Sequence, residues 1–349
     1  MFVKTRWPRR SLALLFFLSL GFATLSGFSL PGAETTVRVG YVSTPSVNGQ
    51  LLVAQEKGYF QEEGLRLEGR DFTSDIPLMR AFAGGNLDVA IMGAMLASLP
   101  AQGFGRVFLV NSREIDNCLL LARPETGAEK LEDLQGTMVV SVRGTSAHLF
   151  LHHALKAHGL DSERDIDLVS LDMAAAVEAF LAGSVSYIAT WYPHDLRIRE
   201  KVPGVRTLAR AGDYPQAGVL TAWVASDAYY ASNPDTLKGI IRAWIRANQD
   251  LLVSPQENRD LVGRIGYPDL PELAAGEGWS RIKLHSTREW LDFYADGSVD
   301  AWLDQTREFL AYGAGWPQDT ELIMDRQLFW ETGKAALAKV EGQGEHDQE

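Results

Sequence analysis

The feature that most constrains this chain is a repeated strand–helix unit. Short β-prone runs alternate with helical patterns along the first two thirds of the sequence. The segments AFAGGNLDVAIM at residues 81–92 and AFLAGSVSYIAT at residues 179–190 share Ala-Phe, a glycine four places after the alanine and a following apolar run, at a constant offset of 98 residues. Unbroken alternation with such a repeat predicts an α/β fold of two similar lobes with mainly parallel sheets.

The order of the segments predicts how the chain passes between these lobes. We expect a discontinuous first lobe from residues 34–121 and 224–340, which includes the later helices, and a second lobe from residues 122–223. Strand-like segments near 118–125 and 219–225 bracket the second lobe. They predict a two-strand hinge about which the lobes close.

The two ends of the chain are predicted to lie outside this fold. Residues 1–33 combine four basic residues, the apolar core SLALLFFLSLGFATL and small residues before Glu34. This pattern predicts a cleaved secretory signal peptide, with cleavage after Ala33, and therefore an exported, periplasmic protein. Residues 341–349 (EGQGEHDQE) form a polar tail.

Charge and cysteine content narrow the class of protein. Removing four of the 33 basic residues with the signal peptide changes the formal charge from −12 to −16. Nucleic-acid partners are not expected, because phosphates require a basic face. The single cysteine, Cys118, lies in an apolar run and cannot form an internal disulfide. We expect a monomer stabilised by its core.

The topology also predicts where a ligand binds. In open α/β sheets, ligands lie beyond the carboxyl ends of the strands. Each lobe offers two such loops, STPS and MGAM in the first and RGTS and TWYP in the second, and the chain crosses between lobes near residue 116. We therefore expect an inter-lobe cleft. The candidate ligand-binding residues in these loops are Ser43, Ser46, Asn48, Gly93, Ala94, Asp116, Gly144, Thr145, Ser146, Ala147, His148, Trp191 and Tyr192.

The stretch VVSVRGTSAHLFLHHALKAHGL, residues 139–160, predicts a strand that opens into a helix. Thr145 and Ser146 are suited to capping this helix. The same geometry makes an anion site, since free N–H groups and the positive dipole end meet there. For His148, donation to an anion and packing in the first turn both remain open.

Other residues bear on the kind of ligand. Asp116 fits either a solvated turn or a counter-charge for a ligand amine. Aromatic faces from Trp191 and Tyr192 favour an organic body or an ammonium group. A small anionic or zwitterionic organic solute of the taurine type is therefore our leading hypothesis. Simple inorganic anions, plain sulfonates and heteroaromatic solutes remain alternatives.

Five segments carry a family resemblance, among them VAQEKGYFQEEGL, AFAGGNLDVAIMG, FLAGSVSYIATWYP and NPDTLKGIIRAWIRA. They resemble periplasmic substrate-binding proteins of ABC transporters for sulfonates, taurine and nitrate. The same superfamily includes binders of thiamine-pyrimidine precursors. The resemblance implies the type II periplasmic-binding-protein (Venus-flytrap) fold and an ABC permease as partner. It also implies that residues 144–148 cradle an anion and that Trp191 lines the cleft. Tyr192 stands where the family often has an acid.

Enzymatic function finds little support in the residues. Ser146 and His148 are two apart at a helix start and do not face each other, and no phosphate-binding loop is present. His148 and His152 have helical spacing for one metal ion, but no acid or cysteine joins them locally, so neither metal nor cofactor is expected. An exported solute-binding protein is the prediction. An enzyme or a ligand-sensing module on the same fold is the alternative.

Overall fold

The computed structural model describes residues 34–93, 98–268, 276–313 and 324–346. The predicted signal peptide, Ala94 and the end of the predicted tail lie outside these residues. Within them, strands form two sheets that are flanked by helices, which confirms the predicted α/β class. In these same ranges no helix has the length and apolarity needed to span a membrane.

The strands of the two sheets alternate with helices along the chain. The strands are β1 Thr35–Val42, β2 Leu65–Phe72, β3 Val89–Met92, β4 Arg106–Glu114, β5 Cys118–Ala122, β6 Met138–Ser141, β7 Asp167–Ser170, β8 Tyr187–Trp191, β9 Arg206–Arg210, β10 Val219–Ala225 and β11 Ile282–Lys283. The helices are α1 Pro45–Glu56, α2 Tyr59–Glu62, α3 Asp75–Ala83, α4 Ser98–Ala101, α5 Ser146–Ala157, α6 Met173–Leu181, α7 His194–Lys201, α8 Asp227–Ser232, α9 Pro234–Val253, α10 Pro255–Gly266, α11 Glu277–Ser280, α12 Thr287–Ala295, α13 Ser298–Gly313 and α14 Arg326–His346.

The two sheets share one topology. The first has the order β11-β4-β10-β3-β1-β2 and the second has the order β9-β5-β8-β6-β7. In each sheet three neighbouring strands are parallel, and the next strand, β10 or β5, runs antiparallel to them. The chain leaves the first sheet between β4 and β5 and returns between β9 and β10. The predicted crossing segments are therefore the antiparallel strands β5 and β10.

The repeat seen in the sequence is also a structural repeat. Helix α3 spans Asp75–Ala83 and α6 spans Met173–Leu181, so both ends differ by the same 98 residues. Strands β3 and β8 begin at Val89 and Tyr187, again 98 apart. Because both units place the same helix before the same strand, their loops reach corresponding edges of the two sheets.

The core follows the apolar pattern of the sequence. On α9, Leu237, Ile240, Ile241 and Trp244 are fully buried, as helical spacing predicts for one face, while Ile245 is partly buried. Burying each such side chain stabilises the fold by about 1.5–3 kcal/mol. Separate hydrophobic clusters pack on the two sheets.

One local prediction was wrong. The segment STPS, residues 43–46, is predicted from the sequence to be a loop, but α1 begins inside it at Pro45. Proline suits the first helical position, because its fixed φ matches a helix and its missing N–H is not needed there. Thr44 before it is extended, with φ −137° and ψ 145°. Ser46 and Asn48 therefore belong to the first turns of α1.

Candidate functional site

A small cavity lies where the carboxyl ends of strands from both sheets meet. Its volume is about 30 Å³. That is the space of about one water, whereas sites for small organic ligands usually measure about 300–1,000 Å³. A solute can enter only if the lining residues move apart. Its lining residues are Val42, Thr44, Val47, Asp75, Gly93, Glu114, Asn117, Thr145, Ser146 and Trp191.

The first sheet contributes a buried carboxylate to this cavity. Glu114, the last residue of β4, is 5% exposed. Ser46 Oγ donates to its Oε1 at 2.5 Å, and the Asn117 side chain also hydrogen-bonds it. Burial raises the pKa of Glu114, while these two hydrogen bonds act in the opposite direction. The site thus holds an acid whose charge state responds to what lies beside it.

The charged side chains that line the cavity are acidic. Glu114 and Asp75, at the start of α3, are its two acids, and none of the lining residues in the described ranges is Lys, Arg or His. A bare anion 4 Å from a carboxylate would be repelled by roughly 4 kcal/mol at an effective dielectric constant of 20. This arrangement suits a ligand with a cationic or hydrogen-donating group near α1.

The second sheet contributes the N-terminus of α5. Gly144 there has φ 78°, a left-handed conformation that glycine adopts without strain. Thr145 is the N-cap residue, yet its Oγ1 donates to the Val142 carbonyl at 2.7 Å and makes no cap bond to the helix. Ser146 hydrogen-bonds the Cys118 thiol. Thr145 does not cap the helix, and both Thr145 and Ser146 line the cavity, so the positive end of the α5 dipole lies at the cavity wall.

His148 has a structural place beside this turn. It is fully buried, and its Nδ1 accepts a hydrogen bond from the Gly144 N–H at 3.1 Å. The ring proton is then on Nε2, which lies 3.4 Å from Glu163 Oε1. Burial lowers the pKa of His148 to about 4. His148 is not among the lining residues, so the structure supports packing rather than contact with an anion.

The two aromatic candidates occupy different places. Trp191 lines the cavity, is 6% exposed and contacts His194 edge to face. Tyr192 is buried outside the lining, where the Arg281 guanidinium lies 5.0 Å from its ring centre. Trp191 therefore remains the aromatic wall that can meet a ligand.

Asp116 is paired with protein groups. Arg210 Nη2 donates to its Oδ2 at 2.5 Å, and the Gly212 N–H donates to its Oδ1 at 2.9 Å. Asp116 is absent from the cavity lining. Glu114, two residues earlier at the end of β4, lines the cavity instead.

Of the remaining candidates, only Gly93 is among the lining residues that the structure describes. Asn48 is buried and accepts a hydrogen bond from the Tyr267 hydroxyl at 2.8 Å, and Ala147 is buried in the second core. Ser43 is half-buried in the loop before α1. Gly93 does line the cavity, while Ala94 after it lies outside the described residues.

Two polar contacts join the sheets next to the cavity. Arg281, just before β11, and Asp195 on α7 form a buried ion pair at 3.1 Å. Ser74 Oγ donates to Asp172 Oδ2 at 3.0 Å. Ser74 and Asp172 are the N-cap residues of α3 and α6 and are 98 residues apart, so the two repeats touch at equivalent positions.

Several lining residues were missed from the sequence. Val42 ends β1 and Thr44 lies two residues beyond it, while Val47 lies in the first turn of α1 and Asp75 begins α3 after β2. The same rule about carboxyl ends of strands applies to the β2–α3 connection and could have identified Asp75.

Comparison with known proteins identifies the class. The chain belongs to the NMT1-like family, whose model matches residues 31–266. A Brucella abortus protein whose name gives it a provisional role as a binding protein is 28% identical over 305 residues, which cover 87% of this chain and 91% of that protein. The taurine-binding periplasmic protein of Escherichia coli is 27% identical over 265 residues, covering 73% of this chain and 81% of that protein.

Solved structures support the same fold. The alkanesulfonate-binding protein SsuA from Xanthomonas axonopodis pv. citri, bound to MOPS, superposes with a TM-score of 0.62 at 18% identity, covering 85% of this chain and 97% of SsuA. The periplasmic nitrate-binding protein NrtA from Synechocystis gives a TM-score of 0.65 at 14% identity, covering 86% and 89%. The periplasmic-binding-protein fold predicted from the sequence is confirmed. The relatives support a solute-binding role, although the desulfurization enzyme DSZB shares the fold.

Proposed function

We propose that this protein is an exported, periplasmic solute-binding protein that holds a small amine-bearing organic solute between its two sheets and delivers it to an ABC permease. The observation that carries the proposal is the buried Glu114 carboxylate in a cavity that the N-terminus of α5 also lines. Burial removes the water that stabilises the charged Glu114 carboxylate, and an ammonium group of the ligand beside it would compensate for that loss.

The opposite end of the ligand would lie against α5. Ser146 offers a hydroxyl group there, whereas the Thr145 hydroxyl already donates to Val142, and the helix N-terminus favours negative charge. Trp191 offers an apolar face for the body of the ligand. A zwitterion such as taurine satisfies all three features, whereas nitrate has no group for Glu114.

Closure is part of this proposal. The cavity of about 30 Å³ is too small for such a solute to enter, so the sheets must separate and close again. Their connections at β5 and β10 allow a hinge. The Arg281–Asp195 pair and the Ser74–Asp172 hydrogen bond would form in the closed arrangement.

The test begins with a thermal-shift screen of taurine, sulfonates, nitrate, phosphonates and pyrimidines, since a ligand of the folded state raises the melting temperature. Calorimetry then compares an amine-bearing ligand with its amine-free analogue, starting with taurine and ethanesulfonate. We expect wild type to prefer taurine at least tenfold. Glu114→Gln should remove the preference, because it removes the charge and keeps the shape.

Asp116→Asn is the matched control. Asp116 is an acid two residues away that pairs with Arg210, so its substitution should leave the ligand preference at the wild-type value. Equal binding of both ligands by wild type would contradict the amine-bearing ligand. A preference that survives Glu114→Gln would contradict the role of Glu114.

A further inference from the structure

A buried polar cluster connects the core of the first sheet to the acid in the cavity. It comprises Asn111 and Ser112 on β4, Thr221 on β10 and the main-chain carbonyl of Ser46, and the three side chains are completely buried. Their donor atoms, Asn111 Nδ2, Ser112 Oγ and Thr221 Oγ1, lie 2.6, 2.8 and 2.8 Å from the Ser46 carbonyl oxygen. Three side chains thus converge on one main-chain atom.

The chemistry of the cluster fixes the orientation of Asn111. The indole N–H groups of Trp223 and Trp244 lie 3.1 and 2.7 Å from its Oδ1. An indole N–H can only donate, so the amide oxygen must face the two tryptophans. Its NH₂ group then faces the first turn of α1, where it donates to the carbonyls of Ser46 and Val47.

This convergence exceeds what satisfying one carbonyl requires. A carbonyl oxygen has two lone pairs, and here three side-chain donor atoms approach it, two of which, Ser112 Oγ and Thr221 Oγ1, also lie 2.9 Å from each other. Beyond it, Ser46 Oγ donates to Glu114 Oε1 at 2.5 Å. The tryptophan–asparagine core is therefore joined through a single residue to the carboxylate that lines the cavity.

We infer that Asn111, Ser112 and Thr221 are positioning residues that hold Ser46 in place and, through its hydroxyl, orient the Glu114 carboxylate toward the ligand. The inference rests on the proposed function, in which Glu114 binds the amine of the solute. If these residues only stabilised the core, their loss would change the free energy of unfolding and leave Glu114 as it is.

The test uses the double variant Ser112→Ala, Thr221→Val, which removes two of the three donors and retains Asn111. Thr306→Val is the matched control, because Thr306 is a buried threonine on α13 whose hydroxyl bonds the Trp302 carbonyl at 3.3 Å. The single substitution Thr221→Ser keeps the hydroxyl and should behave as wild type.

The first readout needs no ligand. The Glu114 carboxyl carbon is titrated by nuclear magnetic resonance and assigned by its loss in Glu114→Gln. The other charged or titratable groups near it are Asp75 across the cavity, Cys118 on β5 and Arg281 beside β11, and all are unchanged in the variants. Because the Ser46 hydrogen bond lowers the pKa of Glu114, the double variant should shift its titration midpoint upward by at least half a pH unit.

The second readout is the taurine-to-ethanesulfonate affinity ratio, which should fall at least fivefold in the double variant and stay constant in Thr306→Val. An unchanged midpoint and ratio, with only a loss of stability, would overturn the inference. If the taurine-to-ethanesulfonate affinity ratio of the wild type does not depend on Glu114, the proposed function fails. The titration of Glu114 still decides whether the three residues position it. If the double variant does not fold, Ser112→Ala alone is judged by the same midpoint.

Discussion

Helices α1 and α5 begin at equivalent places in the two sheets, yet their first turns present opposite chemistry to one cavity. Each follows the corresponding strand, β1 or β6, and each begins with a Thr and a Ser nearby. At α1 the Ser46 hydroxyl donates to the Glu114 carboxylate. At α5 the Thr145 hydroxyl donates to its own turn at Val142.

The difference comes from another strand of each sheet. β4 in the first sheet and β9 in the second occupy matching positions in the two sheets. The first ends at Glu114 and the second at Arg210. Glu114 turns to α1, whereas Arg210 pairs with Asp116 away from the cavity lining. The repeat therefore sets where helices begin, and single residues on other strands decide what charge each helix start accepts.

The largest predicted effect tests the α5 side. Replacing Thr145 and Ser146 together by alanine should weaken binding of a ligand with an anionic end by about 1.5–3 kcal/mol, the value of one hydrogen bond from Ser146 to a charged group, because the Thr145 hydroxyl already donates to Val142. Calorimetry on the ligand found by the thermal-shift screen measures the loss. The same pair of substitutions should leave the amine preference in place, since that preference belongs to Glu114.

Thr137→Ala is the control for the fold. The Thr137 hydroxyl donates to the Leu134 carbonyl at 2.7 Å, the same local bond that Thr145 makes to Val142, but away from the cavity. It should change stability without changing affinity. An affinity of the double variant within threefold of wild type would show that Thr145 and Ser146 serve the turn alone.

The second prediction contrasts the pH dependence of the two sides. His148 has a pKa lowered to about 4 by burial, so the unfolded chain binds its proton first as pH falls below 6.5. The contribution of neutral His148 to the free energy of unfolding is fully present above pH 6.5. It is lost between pH 6.5 and 4, by roughly 3 kcal/mol at about 1.4 kcal/mol per pH unit. Glu114, whose pKa is raised, acts oppositely and loses stability as pH rises through its folded pKa.

Denaturant unfolding of wild type and His148→Gln at pH 7 and pH 4.5 measures this difference. The glutamine oxygen can still accept the Gly144 N–H, so the variant should lose less stability on acidification. Glu163→Gln should lose more, because the Glu163 carboxylate favours protonated His148. Identical losses in wild type and His148→Gln would show that other groups dominate the acid response.

Much of the fold followed from the sequence, because strands and helices there obey local patterns. The 98-residue repeat recurs in α3 and α6, and the stretch 139–160 contains strand β6 followed by helix α5, as predicted. The start of α1 did not follow, since polar residues with a proline suit both a loop and a first helical turn. Packing against the Asn111 cluster favours the helix, and that contact spans 65 residues of chain.

The sequence predicts which loops form the site, but not which side chains in them face the cavity. The loops named from topology reach the cavity, and they contribute Gly93, Thr145, Ser146 and Trp191. Which acid faces inward could not be read from the sequence, because Glu114 and Asp116 are two residues apart near the end of β4. The choice depends on Arg210, a partner 94 residues further along the chain.

The smallest predicted effect concerns the point where the two repeats touch. Ser74 and Asp172 are equivalent N-cap residues, and their hydrogen bond of 3.0 Å joins the two sheets. Ser74 makes no cap bond to α3, whereas Asp172 also accepts the Ala174 N–H. Ser74→Ala should therefore weaken only the closed arrangement, lowering ligand affinity by about 1 kcal/mol, or roughly fivefold.

Ser226→Ala supplies the contrast, since the Ser226 side chain caps α8 by accepting the Tyr229 N–H. Losing that cap should lower the free energy of unfolding by about 1 kcal/mol and leave affinity unchanged. Small-angle scattering with and without the ligand tests closure itself: wild type should contract on binding, and Ser74→Ala should need more ligand for the same contraction. If Ser74→Ala instead lowers stability as Ser226→Ala does and binds with wild-type affinity, the Ser74–Asp172 bond persists in the ligand-free protein. The sheets then do not separate at this point.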